Sequence, residues 1–321
     1  MIIQKTLNGE VVAEYDTKAQ AAKVLSVNES SIRRAITQNR TVMGKFKFSY
    51  SDSLSANKAP VLQSPAKILI LDIETAPLRS YTWGLWKQNI GLNQIISDFY
   101  IISWAAKYLG EDYVYSDVLT PTEAIEEDDE RIMKTLWGHL NNCDVVIAHN
   151  GVKFDIPKIN TRFVLHDIMP PSPYKQIDTL LTARNVFGFT SNRLDYLAKF
   201  FGYGGKETTD FSLWEECMVG NPKALEYMVF YNRNDVVILE KVYLKLRPHM
   251  RNHPNVTLYI DEAEMSCPHC GSKHIHPIED KYFMTQAVRY QAYRCDDCKS
   301  ISRSKQAVKF VNKKQLSAIP R

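Results

Sequence analysis

An apolar run that ends in two acidic residues restricts the fold of this chain more than any other feature. Residues 67–77 read KILILDIETAP, and the run from Ile68 to Leu71 is typical of a central strand that is buried on both faces. Side chains alternate along a strand, so Asp72 and Glu74 point to the same face. Two carboxylates this close repel each other unless a cation lies between them. The segment therefore predicts a metal site, although two acids that cap a loop would give the same pattern.

A second segment repeats this arrangement. Residues 143–155 read CDVVIAHNGVKFD, in which the apolar strand 145–148 is followed by His149, Asn150 and Asp155. We interpret His149 as a packed residue at the strand end. Asp155 supplies a third carboxylate beside a predicted strand end.

The third segment, YNRND, lies on a predicted helix. Asn221 and Pro222 are typical of an N-cap and a first helical position. Tyr231 and Asp235 are four residues apart, so they share one helix face. Asp235 is the fourth carboxylate of the set.

These segments, LDIET, HNGVKFD and YNRND, resemble the three motifs of the DEDD superfamily of proofreading 3′→5′ exonucleases. A tyrosine four residues before the last aspartate resembles the tyrosine branch, which includes the exonuclease domains of family B polymerases. The resemblance covers about residues 67–247, within a predicted exonuclease domain of residues 67–250. It implies an α/β fold with a ribonuclease-H-like mixed sheet flanked by helices, and metal-dependent removal of nucleotides from the 3′ ends of DNA.

The resemblance also implies a role for each motif residue. Asp72 would bridge two Mg²⁺ or Mn²⁺ ions, Glu74 and Asp235 would hold the ion that carries the attacking water, and Asp155 would hold the second ion largely through water. Tyr231 would orient the attacking water. A free-standing nuclease or a separate proofreading subunit is expected because the remaining chain is too short for a polymerase domain. The modular architecture, with the amino-terminal repeat described below, suggests an origin in a bacteriophage or mobile element.

Aromatic and polar residues near these motifs are candidates for substrate contacts. By the resemblance, Asn150 and Phe154 would contact the terminal nucleotide, and Phe154 fits the core equally well. Trp83 and Trp86 either stack on a base or fill the core, and we favour the core. Asp178 is interpreted as a helix cap.

Two CxxC pairs predict a structural metal site near the carboxyl terminus. Cys267 and Cys270 are separated by 24 residues from Cys295 and Cys298. Four thiolates satisfy one tetrahedral Zn²⁺ ion, and a closed shell of this type favours a structural role over a catalytic one. Residues 251–321 therefore resemble a zinc ribbon followed by a basic tail that could follow a nucleic-acid backbone or simply be solvated.

The first 50 residues contain a helix-turn-helix pattern between short strands. The second predicted helix would present Ser30, Ser31, Arg33 and Arg34 to the major groove of DNA. The opening EYDTKAQAAKVL and the closing GKFKFSY resemble the small DNA-binding repeat found beside homing-type endonuclease domains. A small helical packing domain with solvated arginines is the alternative. Residues 51–66, rich in serine and proline, are predicted to be a linker.

The distribution of charge agrees with this division. Residues 1–66 carry 9 basic and 5 acidic side chains, and residues 252–321 carry 11 and 7, whereas the middle carries 20 and 24. A nucleic acid, most simply a single-stranded DNA 3′ end, is the expected partner, and a DNA polymerase is a further candidate. With no secretory signal and no membrane span in the sequence, we expect a cytoplasmic protein without a membrane partner.

Two other functions would use the same sequence features. A structure-specific endonuclease or a ribonuclease could employ the same carboxylates. A non-catalytic DNA-binding regulator would leave them without a chemical role, although all four carboxylates and Tyr231 are present.

Overall fold

The computed structural model describes residues 2–8, 11–15, 17–37, 40–50, 65–204, 209–259, 261 and 264–308. Most of the predicted linker and the end of the predicted basic tail, residues 51–64 and 309–321, lie outside these ranges. The chain divides into two compact units, Met1–Val61 and Leu62–Arg321. The separate domain status of the nuclease and ribbon segments stays a prediction.

The first unit contains a three-stranded sheet and two helices. The strands are β1 (Ile2–Thr6), β2 (Val11–Tyr15) and β3 (Phe46–Tyr50), in the order β2-β1-β3, and the helices are α1 (Lys18–Val24) and α2 (Glu29–Thr37). Thr17 caps α1 by accepting a hydrogen bond from the backbone N–H of Gln20 at 3.1 Å. Ala21 and Ile32 bury the facing sides of the two helices, whereas Val24, which the helical pattern places inside, is exposed. The central strand β1 was not predicted from the sequence.

The second unit is built on a mixed five-stranded sheet. Its strands are β4 (Ile68–Thr75), β7 (Ile101–Tyr108), β8 (Tyr115–Val118), β9 (Val145–Ala148) and β10 (Lys175–Asp178). The order is β10-β9-β4-β7-β8, in which β10, β9 and β4 are parallel and β7 and β8 are antiparallel to their neighbours. A two-stranded ribbon, β5 (Arg79–Ser80) and β6 (Ile95–Ser97), lies between β4 and β7 in the chain. The sequence-based prediction of an α/β mixed sheet with β4 at its centre is confirmed.

Helices cover both faces of this sheet. They are α3 (Pro121–Glu126), α4 (Glu130–Asn142), α5 (Asp155–Leu165), α6 (Thr179–Val186), α7 (Leu194–Phe200), α8 (Ser212–Met218) and α9 (Pro222–Leu246). Leu69 and Leu71 join one buried cluster, and Ile68 and Ile70 join the other, as the alternation of side chains along a strand requires. Both faces of β4 are therefore covered, which fixes the position of its two acidic residues. No helix in the described parts of the chain is long and apolar enough to cross a membrane.

A buried ion pair holds the start of β7 to two helices. The fully buried Asp129 accepts hydrogen bonds from Arg162 and from the backbone N–H of Ile101, the latter at 2.8 Å. One of its carboxylate oxygens lies 2.5 Å from His166 Nε2. Arg162 approaches both carboxylate oxygens of Asp129 through its Nε atom, at 2.7 and 3.0 Å. The start of β7 is thereby held to α4 and α5.

The last strands form the predicted four-cysteine module. They are β11 (Ile275–Met284), β12 (Arg289–Cys295) and β13 (Ile301–Ala307), an antiparallel sheet in that order. This module packs on the segment that follows α9, because His269 Nε2 lies 3.2 Å from the carbonyl oxygen of Met250 and Val256 donates its N–H to the carbonyl oxygen of Pro268 at 2.9 Å. Burial lowers the pKa of the nearby His253 to about 4, so its ring is neutral where it contacts the Tyr243 hydroxyl at 2.8 Å.

Candidate active site

The end of β4 places two carboxylates beside a helix. Asp72 and Glu74 lie on the same face of the strand and are half-buried. Their backbone is fixed by pairing with β7, in which Ala105 lies opposite Asp72 and Ser103 lies opposite Glu74. β9 pairs with the beginning of β4, at 68–70, and β7 pairs with it as far as Thr75, so the two side chains project from a strand that is held along its length.

Helix α9 brings the third carboxylate to this strand end. The helix begins as predicted, with Asn221 capping the backbone N–H of Lys223 at 3.0 Å and Pro222 at its first position. Asp235 is 1% exposed. One carboxylate oxygen each of Asp72, Glu74 and Asp235 lies within 4.8 Å of the other two. The structure thus brings together three of the four predicted acidic residues.

These three carboxylates match the donor set of a hard divalent cation. Three negative charges at this separation repel one another, and burial of Asp235 removes the water that would screen them. Mg²⁺ and Mn²⁺ prefer carboxylate oxygens as ligands. The residues therefore fit a divalent metal ion.

Asn232 is a site residue that the sequence interpretation missed. It is fully buried on α9, and its Nδ2 atom donates to Asp72 Oδ2 at 2.6 Å. Its Oδ1 atom accepts from Ser103 Oγ at 3.1 Å. Asn232 precedes Asp235 by three residues, so the helical spacing of YNRND could have indicated that it faces the same strand. It fixes the orientation of the Asp72 carboxylate.

Tyr231 lies on the same buried side of α9. It is 8% exposed, and its ring packs edge-on against Trp214 with 6.2 Å between the ring centroids. One helical turn separates it from Asp235, as the sequence predicted. Its catalytic role stays a prediction.

Asp155 lies beside the three-carboxylate group without being part of it. It is the first residue of α5 and is buried, and its Oδ1 atom accepts the backbone N–H of Ile73 at 3.3 Å. Ile73 lies between Asp72 and Glu74 on β4. The fourth acidic residue therefore contacts the strand that carries the first two.

The turn between β9 and α5 is shaped by Asp178. Asn150 has a left-handed backbone with φ of 74°, and a Cβ atom at Gly151 would lie 2.4 Å from the Cβ of Ala148. Asp178 accepts the backbone N–H groups of Asn150 at 3.1 Å and Val152 at 3.3 Å. It also caps α6, as predicted, through Leu180 and Leu181. One carboxylate thus sets both the turn and the helix.

His149 and Phe154 flank this turn differently. The two ring nitrogens of His149 lie 2.8 Å from Thr179 Oγ1 and 2.9 Å from the carbonyl oxygen of Asn192, so His149 is packed into the structure as expected. Phe154 is 37% exposed, and its ring centroid lies 5.2 Å from Lys158 Nζ. The alternative interpretation, in which Phe154 belongs to the core, is therefore wrong. The contacts of Asn150 and Phe154 with a nucleotide stay predictions.

Cys217 beside this site is an inert thiol. Burial raises its pKa to about 12, and the charges of Glu216 and Glu74 act in the same direction. Cys143 is buried too, and burial raises its pKa to about 12. Neither thiol is activated as a nucleophile.

The four cysteines of the carboxyl-terminal module converge as predicted. All four are buried, and their four sulfur atoms all lie within 4.8 Å of one another. The Cys267 and Cys298 sulfur atoms are 3.5 Å apart, and those of Cys270 and Cys295 are 3.7 Å apart. These distances are far longer than a disulfide bond of about 2.05 Å. The donor set fits a tetrahedral metal ion with four thiolate ligands.

The predicted DNA-contacting residues lie on α2. Arg33 and Arg34 are exposed, and Ser30 and Ser31 are half-buried. Arg34 makes contacts of 3.3 Å with both the backbone oxygen and the hydroxyl of Ser30. Contact with DNA stays a prediction.

Comparison with known families identifies the fold that carries the five-stranded sheet. The family model RNase_H_2, described as RNase_H superfamily, matches residues 69–247, which include the sheet and all the candidate site residues from Asp72 to Asp235. The chain belongs to the RNase H superfamily. Within the RNase H superfamily chain, the matched region carries the strand and the helix on which Asp72, Glu74 and Asp235 meet.

One solved structure similar to this RNase H superfamily chain is the family B DNA polymerase from the hyperthermophilic archaeon Pyrobaculum calidifontis. The two share 14% sequence identity with a TM-score of 0.40, over 58% of this chain and 26% of that one. The chain thus spans about a quarter of the polymerase. No curated protein matches the chain in sequence.

Proposed function

We propose that this protein is a metal-dependent 3′→5′ exonuclease that hydrolyses nucleotides from DNA 3′ ends. The observation that carries the proposal is the meeting of Asp72, Glu74 and Asp235 within 4.8 Å, on elements of the superfamily fold. The order and local sequence of the three motifs, which resemble those of proofreading exonucleases, supply the polarity and the preference for an end.

The carboxylates would hold the catalytic ions. Asp72, Glu74 and Asp235 would bind Mg²⁺ or Mn²⁺ directly, and Asp155 would complete a second position largely through water. When bound, such ions neutralise the charge that develops on the phosphate and activate water. The protein itself supplies positioning, because phosphodiester hydrolysis needs oriented groups and little covalent chemistry from side chains.

The remaining residues prepare this arrangement. Asn232 holds the Asp72 carboxylate in one orientation through its 2.6 Å hydrogen bond. Tyr231 would orient the attacking water from one turn before Asp235, and Asn150 and Phe154 would contact the terminal nucleotide. Each of the three motifs would thus contribute residues that act at the 3′ end of the DNA.

The two flanking modules would serve the same activity. The four cysteines would hold one structural Zn²⁺ ion, and Arg33 and Arg34 on α2, with Ser30 and Ser31, would contact DNA. A proofreading subunit that serves a DNA polymerase is one form of this function, and faster release of a mismatched than of a paired 3′ nucleotide would support it.

Digestion of a single-stranded DNA carrying a 5′ label tests the activity. We expect the labelled strand to shorten by successive single nucleotides with Mn²⁺ or Mg²⁺. Isosteric Asp72→Asn and Asp235→Asn should each lower the rate about a hundredfold or more, because each removes a negative charge from the proposed ligand set of the metal ion, and loss of one preorganised electrostatic group costs about 10²–10³. Glu226→Gln is the matched control, since Glu226 is exposed on the same helix.

The outcomes separate the alternatives. Release of the labelled 5′ nucleotide first would overturn the polarity, and cleavage of circular DNA would identify an endonuclease. Equal degradation of RNA would broaden the substrate. Full activity in both carboxylate variants would refute the site.

A further inference from the structure

An exposed segment follows the strand that carries Asp72 and Glu74. Residues 79–97, here called the aromatic arm, leave β4 shortly after Glu74 and return as β6. The arm is pinned at its foot, where the buried Ala76 donates its N–H to the carbonyl oxygen of Tyr100 at 2.9 Å. Within the arm, Gln94 donates to the carbonyl oxygen of Tyr81 at 3.0 Å. The arm is therefore a shaped element that starts beside the carboxylates.

The tip of this arm exposes two tryptophans. Trp83 is 97% exposed and Trp86 is 83% exposed, so the expectation that they fill the core is wrong. Leu85 and Leu92 in the same arm are also exposed. Soluble proteins rarely expose large apolar side chains side by side, and such patches mark sites of interaction. The arm therefore presents flat aromatic faces to a partner.

The charge of the arm favours a polyanion. No aspartate or glutamate occurs between Glu74 and Asp98, whereas two basic residues do: Arg79, which pairs with Glu127 at the foot of the arm, and Lys87, which is exposed. The polar residues of the arm are otherwise amides and hydroxyls, which can donate hydrogen bonds to phosphate and to bases. None of the 36 acidic residues of the chain lies in this segment.

The foot of the arm meets the second motif. Lys158 Nζ lies 3.5 Å from the ring centroid of Phe99, which follows the arm, and 5.2 Å from that of Phe154. Phe154 precedes Asp155, which contacts Ile73 on β4. Phe99, Lys158 and Phe154 therefore form one group of contacting side chains that joins the segment after the arm to the second motif.

We propose that the aromatic arm is a stacking platform for unpaired bases of the nucleic-acid strand whose end occupies the carboxylate site. This inference rests on the proposed function. Trp83 and Trp86 stack on successive bases, and Lys87 and Lys158 lie along the phosphate backbone. Stacking of this kind tolerates any base, because each base has a flat face.

Binding without turnover tests the arm. The full chain is titrated with a single-stranded oligo(dT) 20-mer in the absence of Mg²⁺ and Mn²⁺, and tryptophan fluorescence and fluorescence anisotropy of a labelled strand are followed. Of the five tryptophans, Trp104 is buried, and Trp137 and Trp214 are half-buried. We expect the DNA to quench the emission of Trp83 and Trp86.

Variants assign this binding to stacking. Trp83→Ala with Trp86→Ala should weaken the affinity about 30-fold, the product of about fivefold for each base–aromatic contact at its lower range. The double replacement by phenylalanine should recover most of the loss. Leu92→Ala removes an exposed apolar group of the arm without a ring, and Leu258→Ala is a control outside it; both should change the affinity less than threefold.

Each outcome decides between readings. Unchanged DNA binding in the double alanine variant would overturn the inference, and so would a Leu92→Ala loss as large as that of a tryptophan, because DNA binding would then depend on apolar contact in general and not on ring stacking. Nuclease activity of the wild type is measured separately. If DNA binding depends on the two tryptophans but the wild type degrades no DNA, only the proposed function is refuted. If the wild type degrades DNA but its binding does not depend on the tryptophans, only the proposed role of the arm is refuted.

Discussion

The hydrogen bond from Asn232 to Asp72 makes a quantitative prediction about the site. Asn232 is fully buried, and the bond is 2.6 Å long with a charged acceptor. Hydrogen bonds to charged groups contribute about 1.5–3 kcal/mol, which corresponds to about 10- to 150-fold in an equilibrium or a rate. Loss of a comparable partner behind a metal ligand costs about 10- to 100-fold in metal affinity or activity. Asn232→Ala should therefore lower activity by one to two orders of magnitude.

The assay is exonuclease rate against Mn²⁺ concentration. Asn232→Ala should shift the half-saturating Mn²⁺ concentration upward, and saturating metal should recover part of the rate, because the variant keeps all four carboxylates. Ser103→Ala is the matched control, since it removes only the outer 3.1 Å bond to Asn232. A neutral bond contributes about 1 kcal/mol, so this variant should lose about fivefold at most.

A structural role alone would give a different result. If Asn232 only fills space, Asn232→Ala would lower the urea midpoint of unfolding while leaving the half-saturating metal concentration at its wild-type value. An unchanged rate and an unchanged metal dependence would refute the reasoning, provided that Asp235→Asn is inactive in the same assay.

Three further predictions concern the parts that support the site. Asp129→Ala should lower the free energy of unfolding by about 3–5 kcal/mol in urea titrations, because it leaves the buried Arg162 without its carboxylate. Adding Arg162→Met should recover part of that stability, and a double variant as unstable as the single one would contradict the explanation. Gly151→Ala places a methyl group 2.4 Å from its nearest neighbour and should lower the melting temperature and the activity, whereas Gly138→Ala, with nothing within 4 Å, should not. Purified protein should contain one zinc ion by elemental analysis and lose it in Cys267→Ser; protein that folds without zinc would refute the ribbon assignment.

Local rules were enough to predict much of this site. Alternation along β4 placed Asp72 and Glu74 on one face, and a capped helix placed Tyr231 and Asp235 on another. Both rules operate over a few residues, so they can be applied without knowledge of the fold. The meeting of these two elements came from the motif resemblance and is present in the structure.

Contacts between distant segments could not be predicted in this way. Ser103 and Asn232 are 129 residues apart, and nothing in either local pattern indicates that they meet. Trp83 and Trp86 were placed in the core because apolar side chains are usually buried. That rule failed because the arm leaves both side chains exposed and outside the two buried clusters that cover the sheet.

The length of α9 joins two parts of the molecule mechanically. Its 25 residues extend about 37 Å at 1.5 Å per residue, with Asp235 near the middle and the four-cysteine module packed beyond its end. A rod of this kind transmits displacement, so loosening the module would shift Asp235 as well. A strong chelator would then inactivate the protein by two routes, and only the activity that Mg²⁺ alone restores would report on the carboxylates.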